Sequence, residues 1–154
     1  MELKPLFSYR ADLDKPIHIG SAAFGVRDIL RIKGGEVWGD ALSGKLLPAG
    51  GEFQLTDVNG YFRINVRLVI ESSEGIPIYM HYTGVADMPP AFKAEVYRKG
   101  YSDFGDCYFM TQPRFECGHE KYQWLNNIVT VAEGRVAGAS AVEYRVFECV
   151  HSLA

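Results

Sequence analysis

Between Gly34 and Gln54 the chain reads GGEVWGDALSGKLLPAGGEFQ, six glycines and Pro48 set among two short apolar runs. Glycine supplies positive φ and close backbone approach, so this spacing predicts turns and bulges between short strands and leaves no room for a useful helix. The next segment is as restrictive. Tyr61 to Glu71 (YFRINVRLVIE) alternates strictly, with Phe62, Ile64, Val66, Leu68 and Ile70 on one face and Tyr61, Arg63, Asn65, Arg67, Val69 and Glu71 on the other. A period of two over that length is a half-buried β-strand.

The rest of the chain continues the pattern. Leu6–Leu13, Ala23–Ile32, Ala41–Leu47, Glu52–Thr56, Ile76–Asp87, Asp106–Glu116, Trp124–Glu133 and Ala141–Val150 read as strands. The Gly34-Gly35 pair is expected to join two of them. Val58-Asn59-Gly60 carries the strongest short hairpin signal. Pro89-Pro90 followed by AFKAEVYRKG predicts one short helix near 89–99, with proline in its first turn, Arg98 and Lys99 in its last and Gly100 just beyond. Phe92 and Val96, four apart, are expected to pack on the body. The expected fold is all-β, one domain over residues 1–154: an up-and-down antiparallel barrel of about nine strands, with a two-sheet sandwich as the competing architecture.

Composition bounds the function. With 154 residues the chain buries a core without disulfide or metal staples. A net charge of −3 offers no field for a phosphate backbone, so nucleic acid is not an expected partner. No run nears the roughly 18 apolar residues of a membrane span, and the N-terminal MELKPLFSYRADLDKP has no signal-peptide core, so a cytoplasmic protein with no membrane partner is expected. Cys107, Cys117 and Cys149 are odd in number and at no metal spacing, which reads as reduced and structural; Cys117, beside Gly118 and His119, is the one with a reactive context.

In several strands one face is aliphatic while the other mixes aromatic and hydrogen-bonding groups. Glu52 shares a face with Gln54, Arg63 with Asn65 and Arg67, Tyr79 with His81 and Thr83, and Trp124 with Asn126. Aromatic walls bearing a few polar groups suit a small-molecule cavity. The plainer reading is that these faces are the wet outside of the sheet, because alternation looks the same either way.

The run GG-EVWG-DAL-SGKLLPAGG-EFQ, then Arg67, then CYFMTQPRFE and YQWLN, resembles the domain of unknown function 3237 family from about Phe24 to Phe147. Gly34, Gly35, Gly39, Gly44, Gly50, Gly51, Pro48, Gln54, Gly84, Phe109, Pro113, Phe115 and Trp124-Leu125-Asn126 fit its pattern. Glu52-Phe53 stands where the family commonly has Asp-Trp, and the helical segment fits it poorly. The resemblance implies a lipocalin-like (calycin-like) barrel with a central pocket, often oligomeric, so a homo-oligomer is expected. Some members look like cofactor-free enzymes that form rings or add or remove water on small metabolites.

His18, His81, His119 and His151 form no H-x-H or H-E-x-x-H, and no C-x-x-C, G-x-G-x-x-G, P-loop or G-x-S-x-G occurs. No metal and no cofactor is therefore expected, which leaves acid–base and electrostatic chemistry. Glu52, Arg67 and His81 are the catalytic candidates. Glu52 or His81 would move a proton, and Arg67 would hold an enolate, phenolate or carboxylate. Gln54, Asn65, Tyr79, Trp124 and Asn126 are the substrate-binding candidates. Against this stand an external Glu52–Arg67 ion pair, a satisfied His81 and a Trp124 that merely packs. The expected function is a cofactor-independent lyase, isomerase or cyclase acting on a small carbonyl-bearing or natural-product metabolite in the barrel pocket; the alternative is a non-catalytic small-molecule carrier.

Overall fold

The computed structural model describes residues 1–153. Nine strands run in order along the chain: β1 (Glu2–Leu13), β2 (Ile17–Ala22), β3 (Gly25–Trp38), β4 (Gly44–Thr56), β5 (Phe62–Ser72), β6 (Pro77–Ala86), β7 (Phe109–Glu116), β8 (Thr130–Gly138) and β9 (Ala141–Val150). Helix α1 (Pro90–Lys99) links β6 to β7, and a 3₁₀ helix (Gln123–Asn127) links β7 to β8. Every pairing is antiparallel, and β1 pairs with both β9 and β3. Eight strands thus close into a barrel, and β2 extends β3 as a ninth strand outside the ring. Closure removes the edges that a sandwich would leave open.

Two expectations about the elements need correction. The Gly34-Gly35 pair is not a turn: β3 runs through it, and β4 runs through Pro48 and Gly50-Gly51 as one strand. The glycines sit where the register shifts, between Arg31 and Gly35 and between Leu46 and Gly50. A Cβ on Gly35 would lie 1.8 Å from the Arg10 carbonyl oxygen, so the bulge brings β3 against β1 closer than any side chain permits. The second correction concerns residues 124–129. Trp124 and Asn126 lie in the 3₁₀ helix, and the strand begins only at Thr130. The Asn59-Gly60 hairpin forms as expected, with the Asp57 carboxylate accepting the Asn59 and Tyr61 amides at 2.9 and 3.0 Å.

The aliphatic faces turn inward. Ile64, Val66, Leu68 and Ile70 of β5 are buried, with Phe62 half-buried at the barrel end; Ile78, Met80 and Tyr82 of β6 face them. An eight-stranded ring is just wide enough for its own side chains or for one small ligand. At mid-height it holds an aromatic cluster: Tyr9 and Tyr144 stack at 5.0 Å, Tyr82 meets Tyr144 edge-on at 5.5 Å, and Phe109 meets Tyr144 at 5.4 Å. Gly134 makes room for it, since a Cβ there would lie 2.5 Å from the Phe109 ring. Helix α1 buries no residue. No described helix is long and apolar enough to cross a membrane.

Candidate functional site

The polar faces of β5, β6 and β7 point outward, and antiparallel register arranges them in rows. Arg67, His81 and Arg114 are Cα partners across the three strands; below them lie Asn65, Thr83 and Gln112, and above them Val69, Tyr79 and Glu116. Neighbouring strands are about 4.8 Å apart, so Arg67 and Arg114 flank His81 with their Cα atoms roughly 10 Å from each other. Neither arginine meets a carboxylate among the described residues, whereas Arg63 pairs with Asp57 and Arg31 with Asp14. The Tyr79 and His81 rings lie nearly parallel, 6.3 Å apart and inclined by 15°.

A hollow of about 690 Å³ opens beside this row, lined by Tyr79, His81, Gln112, Arg114, Asn126 and Thr130 among others. Its cause is local. β7 and β8 share only two register pairs, Met110–Glu133 and Thr111–Ala132, before they splay. Pro113 has no N–H to continue the ladder. The Thr130 hydroxyl spans the gap by donating to the Pro113 carbonyl at 2.6 Å. A second hollow of about 770 Å³, lined by Phe53, Asn65, Thr83 and Met110, adjoins the first at Gln112 and Val131.

The sequence-derived constellation is therefore divided by the barrel wall. His81, Tyr79 and Asn126 meet in one hollow, Asn65 lines the next, and Arg67 flanks His81 without lining either. Asn126 is largely committed to structure: its side-chain oxygen accepts the Cys117 amide at 2.7 Å and its nitrogen donates to the Cys117 carbonyl at 2.9 Å. Trp124 is on the 3₁₀ helix, 38% exposed and outside both hollows. Glu52 and Gln54 face the other way. Arg67 is opposite Gly51, while Glu52 is opposite Val66 and shares its inward face. Neither the shared Glu52–Arg67 cavity nor an external ion pair between them exists.

Arg114 and Gln112 went unnoticed as candidates, although the alternation Met110, Gln112, Arg114, Glu116 in β7 sets them on one face. The aromatic cluster around Glu52 had a signal too, since Tyr82 continues the inward phase of Ile78 and Met80. Glu52 is 7% exposed, and burial alone pushes its carboxyl up to about 7. Burial, reinforced by neighbouring phenols and by Glu52, raises Tyr9 and Tyr144 as well. The Tyr9 hydroxyl is buried without a hydrogen-bond partner among the described residues. No three His, Cys, Asp or Glu among the described residues come together as a metal site.

Fold and site together define a small closed antiparallel β-barrel that carries a polar, arginine-flanked hollow on its outer wall. The chain belongs to the DUF3237 family, "Protein of unknown function", whose model matches residues 1–149. A UPF0311 protein of Bradyrhizobium diazoefficiens is 36% identical over 132 residues, covering 86% of each chain. The crystal structure of a conserved protein of unknown function from Rhodopseudomonas palustris superposes with a TM-score of 0.86 at 31% identity, covering 97% of both chains. An enzyme from Penicillium herquei shares the fold at a TM-score of 0.70 and 17% identity, covering 96% of this chain and 94% of that one. The family resemblance and the barrel are thus established. Where the resemblance implied a central pocket, Tyr9, Tyr82, Tyr144 and Phe109 pack against one another inside the barrel.

Proposed function

We propose that the protein is a cofactor-independent lyase, isomerase or cyclase, working by acid–base chemistry on a small carbonyl-bearing or natural-product metabolite bound on the outer wall of the barrel. The observation that carries this reading is the Arg67–His81–Arg114 row, a histidine with an arginine on the strand to either side and neither arginine meeting a carboxylate among the described residues. His81 takes a proton from carbon next to a carbonyl, or from a phenol or alcohol. The negative charge left on oxygen falls to Arg114, with Arg67 beside it. Gln112 and Asn65 donate hydrogen bonds along the groove, and the Tyr79 ring lies parallel to His81 on the same face. Glu52, on the inner face, touches no substrate in this scheme. The shared fold with an enzyme of Penicillium herquei is compatible with catalysis and carries nothing about the reaction.

A non-catalytic binding barrel is the second reading. It is favoured by the exposure of Arg114 and Asn126, since an open site excludes water poorly. The two part on turnover. Deuterium uptake next to the carbonyl, followed by NMR across a panel of small keto acids and aryl ketones, should be accelerated by the wild-type protein. His81→Asn should lower that rate by about 10²–10⁴-fold, and Arg114→Gln should lower kcat as well, since the charge it holds develops only in the reaction. Equal rates for wild type and His81→Asn would remove the base. Retention of a co-purified small molecule, identified by mass spectrometry, with no accelerated exchange would favour the binding module.

A further inference from the structure

At the end of the barrel where α1 sits, a separate cavity of about 480 Å³ lies between the helix and the β8–β9 hairpin. Phe62 and Met88 come from the barrel rim, Val96 from α1 and Val136 from β8; each is only half-buried. Gly138 and Ala139 keep the opposite wall low. Apolar side chains this close to the core are normally covered, and the helix covers them only in part, with Phe92, Lys93 and Val96 half-buried and no residue of it fully so. Lys93 stands at the edge, its Nζ 4.4 Å from the centre of the Phe62 ring. It meets no carboxylate among the described residues, whereas the neighbouring Arg98 is paired with Glu95 at 2.7 Å. The cavity volume lies within the range of small-molecule sites, roughly 300–1,000 Å³.

We propose that this cavity binds a medium-chain amphiphile carrying one carboxylate, with the chain laid between α1 and the hairpin and the carboxylate on Lys93. The apolar walls take the alkyl body, and Lys93, a half-buried residue, gains a counter-charge that no described carboxylate supplies. The site is at the barrel end and is independent of the outer-wall hollow, so His81→Asn should leave it untouched.

Dodecanoate, kept below its micelle-forming concentration, is the probe. Titration calorimetry should show saturable one-to-one binding, and NMR should show the Met88 methyl shifting with it. Val96→Trp fills the cavity from a helix that holds no core residue, so it should fold normally and lose the binding. Lys93→Met should weaken dodecanoate about five- to tenfold while leaving dodecanol unchanged. Undiminished binding by Val96→Trp, or equal losses of dodecanoate and dodecanol with Lys93→Met, would overturn the assignment. Vesicles containing phosphatidylglycerol supply the other arm. Sedimentation with vesicles and indifference to free dodecanoate would make α1 a lipid-surface contact and sink the cavity proposal.

Discussion

Glu52 is the residue at which chemistry and stability conflict. Its carboxyl titrates at about 7 in the folded barrel, against 4.5 for an ordinary glutamate, because burial penalises the charge. The folded state therefore holds a proton that the unfolded chain has released between those values. Stability from this group is present below about pH 4.5, falls as pH rises, and is gone above about 7. At roughly 1.4 kcal/mol per pKa unit, the difference reaches about 3 kcal/mol. Glu52→Gln should change Tm little at pH 5 and raise it at pH 8; thermal melts across that range check the slope, and a pH-independent difference would refute it. Sequence reasoning found Glu52 and expected a base. It could not see that Arg67 pairs with Gly51, one step along β4, because a single step across a strand reverses the face and composition carries no register.

The strands were more legible than their joints. β5 shows why: its alternation fixed both its extent and its buried face. Leu68, 1% exposed, should cost ~2–5 kcal/mol on truncation to Ala, whereas Val96→Ala on α1 should cost no more than about 0.5 kcal/mol, both by denaturant unfolding. The glycine-rich stretch was half read. It was expected to end β3 at Ile32 and to split β4 in two, yet the backbone continues through each bulge, since glycine serves close approach as readily as reversal. The count of nine survived because one strand too many, from splitting β4, offset the missed β2, whose IHIGSA has little alternation to show. Gly35→Ala should destabilise by about 2 kcal/mol or more, read from the shift in urea midpoint, because its Cβ would collide with the Arg10 carbonyl.

At the scale of the whole molecule, the outside of the barrel is where function was hardest to foresee. Alternation says that each strand has two faces, and only closure decides which is the interior. The wall that results exposes Met110 at 41% and Phe53 at 38%, and outside the ring Ile19 of β2 is 58% exposed and Phe24 of the β2–β3 turn 78%. Phe53 and Met110 line the same hollow, and exposed apolar surface gathered in this way marks association. A homo-oligomer is therefore expected in sedimentation velocity at micromolar concentration, and a clean monomer would count against it.

The splay between β7 and β8 has a mechanical consequence. A closed ring bears load only as well as its weakest seam, and here one seam holds two register pairs while β5 and β6 share ten. Pulled apart by handles at Gln112 and Val131, the barrel should rupture at far lower force than with handles at Val69 and Tyr79. The ring would open like a clasp, along the line that carries the His81 hollow.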